Sequence, residues 1–354
     1  MTPIKSLFLS MLLVGLTLGL SACLAPTPDA GTLPPTPMTA PAETAAPPPA
    51  SSPTAEPETP PTLPAADTPL SELEAVVAAS LGITISETMT YSIGLEGVRA
   101  IQLTPTAAID TPLWLVYTYG LRNFNPIQNH HLLLYTQQAN EWQEVTRLEL
   151  VDNGDPENPA LAPDYVSDGA VEQVTIEPDG LWIQLEGGVG AHSGVYGLFN
   201  FDGTALNLQV FGFSSSPGVA ELRDLDGDGT QEVLIDASEY YVFCYACGVR
   251  RVDYQIWHWD GSQMSPVTLA PLPTEVPATL QELNDQAIAL AEAGLWKDAL
   301  ATVDEAVALG ESDPSGTFHW NELAIRLNAT AKQAEISDDP MAYPLLTHVF
   351  YGDF

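Results

Sequence analysis

Positive charge is what this sequence has least of. Lys and Arg number ten against 46 Asp and Glu, a formal net charge of −36. Nucleic-acid binding needs a cationic footprint, so it is excluded as an expectation. An anionic lipid surface would repel the folded part for the same reason. The acidity suits solubility and an exposed, salty setting, and it also suits cation binding. Cysteine is almost absent: Cys23, Cys244 and Cys247 are the three. The N-terminal apolar run, residues 7–20, is broken by Ser10, Gly15, Thr17 and Gly19. It falls short of the ~20 positions that a membrane-spanning helix needs. Catalytic constellations are also missing. Ala191-His192-Ser193-Gly194 lacks the glycines of a nucleophile elbow, because 191 and 195 are Ala and Val. His130-His131 has no metal-binding Glu at helical spacing, and nothing singles out a glycosidase pair among the many carboxylates. The chain is expected not to be an enzyme.

The N-terminus carries a three-part export pattern. Lys5 gives a positive start, the apolar run follows, and Leu20-Ser21-Ala22-Cys23 ends it. Small residues followed by cysteine resemble the lipobox of bacterial lipoproteins. The resemblance implies that residues 1–23 are signal peptide and lipobox, with a diacylglyceryl group on Cys23. The mature chain would then sit in the bacterial cell envelope, facing outside the cytoplasm. The membrane would be its partner through the anchor, each buried methylene contributing ~0.8 kcal/mol. An uncleaved membrane helix or an ordinary secretory signal is the alternative. Residues 24–69 are Pro, Thr and Ala with scattered acids and hold almost half of the 31 prolines. Such a segment buries too little apolar surface to fold and favours extended polyproline II, a semi-stiff disordered tether.

Roughly 285 residues follow, enough for one large or two moderate domains. Residues 69–81 predict a helix: Ser71 and Glu74 form a capping box, Leu73, Val76, Val77 and Leu81 recur at helical spacing, and Gly82 stops it. From about 83 to 267 the period becomes two. Tyr196-Gly197-Leu198-Phe199-Asn200-Phe201-Asp202-Gly203-Thr204 aligns with Tyr254-Gln255-Ile256-Trp257-His258-Trp259-Asp260-Gly261-Ser262. A fainter copy runs from Leu132 to Val145. Each copy reads as a β-hairpin with Asp-Gly supplying the positive-φ turn. Strands at 171–176 and 181–185, and at 219–223 and 232–236, precede the second and third copies. Four strands per ~60 residues is the size of a propeller blade. Three such units are too few for a closed propeller. The expected fold class is therefore mainly β, with antiparallel four-stranded repeat units in a partial propeller-like or sandwich arrangement. This domain, with its leading helix, spans residues 70–270.

A Pro-rich connector leads to a helical pattern at 278–336, with a tail at 337–354. Leu283, Ala287 and Leu290 share a face, and Gly294, Trp296, Ala299, Leu300, Val303 and Ala306 continue it. This resembles a tetratricopeptide repeat, with a second copy beginning at Trp320 and using Leu323, Ala324 and Leu327. Three extra residues around 310–316 and the missing second hairpin depart from that family. A plain helical hairpin is the alternative. Fewer than three repeats rarely stand alone, so the module is expected to pack on the β body or on a partner.

Asp224-Leu225-Asp226-Gly227-Asp228-Gly229-Thr230-Gln231-Glu232 is the strongest site signal. Alternating carboxylates with a glycine bend suit a hard cation that takes six to eight oxygens. Position twelve is Ile235 and the loop runs into a strand pattern, so neither an EF-hand nor a dockerin fits. The loop resembles the strand-flanked Asp-rich loops of FG-GAP and VCBS-type repeats. That resemblance implies Ca²⁺ held by Asp224, Asp226, Asp228, the Thr230 carbonyl and Glu232, as a structural pin. An empty acidic turn is the alternative. Cys244 and Cys247, left over in an exported chain, suggest a disulfide; reduced or metal-bound thiols and a redox pair stay open. The stripe Phe199, Phe201, Trp257 and Trp259 suits sheet core better than a sugar platform. Loops at 119–131, 187–194 and 239–251 are expected on one side, where recognition usually sits. They offer Arg122, Phe124, His130, His192, Tyr245, Arg250 and Arg251. The expected function is lipid-anchored binding of a protein or glycan at the cell surface. A secreted surface hydrolase and a structural envelope spacer are the alternatives.

Overall fold

The computed structural model of the chain describes residues 68–83, 94–124, 127–139, 141–152, 161–240, 242, 250–338 and 344–353. Cys23, residues 24–67 of the expected tether, Tyr245, Cys244 and Cys247 lie outside the described residues, as does the side chain of Phe124, whereas Thr68 and Pro69, also expected in the tether, are helical. Contacts gather Thr62–Phe354 into one unit, so the strands and helices below belong together. No described helix is long and apolar enough to cross a membrane.

Helix α1 (Thr68–Ser80) buries Leu73 and Val77 one turn apart, and Gly82 (φ +67°) follows its end. It starts three residues before Ser71, so the expected capping box does not form. Glu74 instead reaches the first strand, where its carboxylate accepts the Ala100 N–H at 2.9 Å. Val76, expected on the apolar face, is 52 % exposed.

The strands are β1 (Leu95–Gln102), β2 (Trp114–Leu121), β3 (Asn123–Phe124), β4 (Ile127–Gln128), β5 (His130–Gln138), β6 (Glu141–Leu150), β7 (Tyr165–Val166), β8 (Val171–Val174), β9 (Leu181–Val189), β10 (Ser193–Phe201), β11 (Leu206–Ser214), β12 (Ala220–Arg223), β13 (Glu232–Asp236), β14 (Tyr254–Trp259) and β15 (Met264–Pro266). Their pairing is antiparallel throughout. β1-β2-β5-β6, β8-β9-β10-β11 and β12-β13-β14-β15 are successive four-stranded runs. Two-residue β7 bridges β2 to β9 and fuses the first two runs into one nine-stranded sheet. The third run is a separate sheet.

The large sheet curls until its end strands β6 and β11 approach each other. Its inner face packs Leu115 and Tyr117, Leu132 and Leu134, Ile183 and Leu185, and Phe199 into one core. The alternate residues face outward onto two further cores. Val116 and Leu133 meet α1, while Trp182, Tyr196 and Leu198 meet Val233 and Ile235 of the small sheet. Apolar partners on both faces replace the expected alternation by nearly continuous buried runs in β2, β5 and β10. The aromatic stripe divides accordingly: Phe199 and Phe201 enter the inner core, and Trp257 and Trp259 pack against the other.

The two repeated hairpins close identically. Asp202 Oδ1 accepts from the N–H groups of Thr204 and Ala205 and from the Thr204 hydroxyl. Asp260 Oδ1 accepts from the N–H groups of Ser262 and Gln263 and from the Ser262 hydroxyl. Only Gly203 and Gly261 take positive φ, each +94°. Asp was expected to share that backbone role; it acts through its side chain, as short polar residues do in turns.

Helices α2 (Ala278–Glu292) and α3 (Trp296–Ala308) form a hairpin around Gly294 (φ +77°), burying Ala287, Ala291, Ala299 and Val303. α4 (Thr317–Asp338) is a single long helix, and α5 (Pro344–Tyr351) occupies the expected tail. α4 buries Phe318, Asn321, Ile325, Asn328, Ala329 and Lys332, whereas Leu323, Ala324 and Leu327 are half-buried. The polar members of that face hold the β body. Asn321 Nδ2 donates to the Ala270 carbonyl at 2.7 Å and its Oδ1 accepts the Ala270 N–H at 3.0 Å. Asn328 does the same for Tyr254, at 2.9 Å both ways. Lys332 donates to the Val252 carbonyl at 2.6 Å. Each side-chain amide takes the place of a peptide unit in a neighbouring strand.

Candidate metal centre

Pairing of Arg223 with Glu232 closes the β12–β13 hairpin and leaves residues 224–231 as its loop. Gly227 (φ +79°) and Gly229 (φ +92°) adopt backbone that side chains oppose, and this coils the loop around its own carboxylates. Asp224 accepts from Gly227 N–H at 2.7 Å and Gly229 N–H at 3.2 Å. Asp226 accepts from Asp228 N–H, and Asp228 from Thr230 N–H at 2.6 Å. Glu232 points back from β13 and accepts the Leu225 N–H at 2.7 Å. The Gln231 N–H anchors the loop to the Ile176 carbonyl before the β8–β9 turn.

Asp224, Asp226 and Glu232 each bring a carboxylate oxygen within 4.8 Å of the others. Asp228 is outside this group. Glu232 is only 2 % exposed, and no ion pair to it is found among the described residues. Arg223, next door, pairs with Glu221 instead. Burial, with the charges of Asp226, Asp228 and Asp224, pushes the Glu232 carboxyl up to about 7, against the pull of the Leu225 N–H. An all-oxygen donor set around a buried carboxylate without a counter-charge fits a hard divalent cation. Asp224, Asp226 and Glu232 are the residues that would hold it.

Two of the expected recognition loops are joined by one residue, Asp164. Asp164 pairs with Arg122 at 2.9 Å and accepts the Gly190 N–H at 2.9 Å, tying 119–131 to 187–194. The 239–251 loop is reached through Ser215, whose hydroxyl accepts the Tyr240 N–H, while Pro217 lies beside Gly194. His130 is not presented: it is 1 % exposed, with Nδ1 at the Thr118 carbonyl and no partner at Nε2 among the described residues. Burial lowers its imidazole to about 4. Its position is explained by alternation, because 130, 132 and 134 share the inner face of β5. His192 is exposed. Arg250 pairs with Glu335 of α4, and Arg251 with Glu239 at 3.1 Å.

Neither a family model, nor a curated protein, nor a solved structure matches this chain.

Proposed function

We propose that this chain is a lipid-anchored, extracytoplasmic binding protein whose β body is pinned by calcium at the Asp224–Glu232 loop. The convergence of Asp224, Asp226 and Glu232 supports the metal assignment most directly. The three four-stranded runs, two of them sharing the Asp-Gly closure, support a partial propeller-like stack of FG-GAP/VCBS-like repeats. The α2–α3 hairpin with Ala287, Ala299 and Gly294 supports a tetratricopeptide-like module. The Cys23 lipobox would place the body outside the cytoplasm. The loops joined by Asp164 and Ser215 would then present a surface to a protein or glycan.

Calcium in such a loop is a clamp. It replaces mutual carboxylate repulsion by shared coordination and stabilises the folded state by mass action, about 2.7 kcal/mol at a hundredfold excess over Kd. Thermal unfolding of metal-stripped protein is the test. Chelator should lower Tm, Ca²⁺ should restore it, and Mg²⁺ should restore it poorly because it demands tighter octahedral geometry. A trace indifferent to chelator and to Ca²⁺ would reduce the loop to an acidic turn. In parallel, Cys23→Ser should release the body from membranes or leave an unprocessed precursor. Detergent partitioning unchanged from the native protein would remove the anchor.

A further inference from the structure

Where the small sheet meets the helical module there is a cleft of about 250 Å³, lined by Ala237, Arg251, Val252, Asp253, Trp296 and Lys332. That is below the ~300–1,000 Å³ typical of pockets for drug-sized ligands, so its occupant is small. Val252 is buried between two charged neighbours on extended chain, so Arg251 and Asp253 leave on the same side, roughly 7 Å apart. Lys332, 5 % exposed, closes the floor with its ammonium on the Val252 carbonyl, the Asn328 amide oxygen at 3.3 Å and Asp253 at 3.6 Å. The same ammonium lies 4.4 Å from the Trp296 ring centre. Asp253 and Arg251 remain reachable, their side chains 48 % and 59 % exposed, and Glu239 holds Arg251 at 3.1 Å.

A cation and an anion thus share one small cleft with an aromatic wall. A simple anion would meet Asp253, and a simple cation would meet Arg251 and Lys332. The complementary ligand carries both charges, on two groups that share one carbon. We propose that this cleft binds a free zwitterionic α-amino acid. Its carboxylate lies on the Arg251 guanidinium, its ammonium on Asp253, and its side chain against Trp296. This adds a ligand class to the binding reading and does not depend on the calcium loop.

Isothermal titration of the full-length protein in detergent tests it, using a panel of L-amino acids with their N-acetyl and C-terminal amide forms. At least one free amino acid should bind saturably, and each capped form should bind about tenfold more weakly or worse, having lost a charged hydrogen bond. Arg251→Gln should erase the discrimination against the amide form. Asp253→Asn should erase that against the N-acetyl form. Asp253 also faces Lys332, so the exposed Arg251 variant keeps the test decisive if the other fails to fold. The calcium response measured on the same preparation is expected to be unchanged by either variant. No heat of binding from any free amino acid up to about 10 mM, or equal binding of free and capped forms, overturns the proposal.

Discussion

Glu232→Gln separates the intrinsic cost of the acidic loop from its capacity for metal. Without a cation, the Glu232 carboxyl sits at about 7 in the folded chain against an ordinary 4.5. A raised value means that the folded state holds its proton where the unfolded chain has released it. The stability that this proton contributes is complete below pH 4.5 and is lost as pH rises to about 7. The gap corresponds to about 3 kcal/mol. Glutamine has the same shape, keeps an oxygen for the Leu225 N–H, and never ionises. In chelator at pH 8 the variant should therefore be the more stable protein, by up to about 3 kcal/mol, or roughly 6–12 °C in Tm for a body of this size. At pH 5 most of that advantage should vanish. Calcium should then reverse the ranking at pH 8, because the wild type gains a counter-charge and the variant lacks one ligand carboxylate. Calorimetry at the two pH values, with chelator and with Ca²⁺, reads all four states. A variant that melts at or below the wild type in chelator at pH 8 would refute the reasoning, since Glu232 would then not be opposed by its surroundings.

Three further outcomes follow from other residues. His130, lowered by burial to about 4 from 6.5, stays neutral in the fold while the unfolded chain takes up a proton. Stability should thus fall by about 3 kcal/mol between pH 6.5 and 4 on its account, and His130→Asn should flatten that part of the curve; unchanged pH dependence would count against it. Asn328→Ala orphans the N–H and carbonyl of Tyr254 and should cost roughly 2–5 kcal/mol in urea unfolding, whereas a neutral result would mean that solvent replaces the amide. Cys244 and Cys247 should appear joined in non-reducing mass spectrometry of protein taken from its native source; two alkylatable thiols would exclude the bond.

Local signals were legible and long-range ones were not. The hairpins at Asp202 and Asp260 could be read because one aspartate and one glycine close each turn within four residues. Three four-stranded runs followed from that repetition. The fusion of the first two through Tyr165 and Val166 could not be read, since two residues carry no period. Within the loop, spacing made Asp224, Asp226 and Asp228 visible and the FG-GAP/VCBS resemblance added Glu232; the structure gathers Asp224, Asp226 and Glu232 and leaves Asp228 outside that group. His130 was misassigned to a surface although its alternation with Leu132 and Leu134 was present in the sequence. Arg251 and Asp253 carry an equally short signal, two charges one residue apart, but only the fold brings Trp296 and Lys332 to them.

The face of α4 was the least legible because its chemistry inverts the usual pattern. Asparagine in a helix reads as solvent-facing, and a helical core face is sought among Leu and Ala. Yet β15 pairs only with the Trp257 end of β14, leaving Tyr254 with an N–H and a carbonyl to satisfy. Such an edge is a template for unwanted strand pairing unless something covers it. Another strand would need a matching register, whereas an asparagine offers the same donor and acceptor from a helix. Asn328 does this for Tyr254, and Asn321, seven residues and so about two turns earlier on α4, does the same for Ala270 in the segment after β15. The helical module therefore serves the β body as the missing neighbour of its edge, and a chain cut before α2 would carry that edge open.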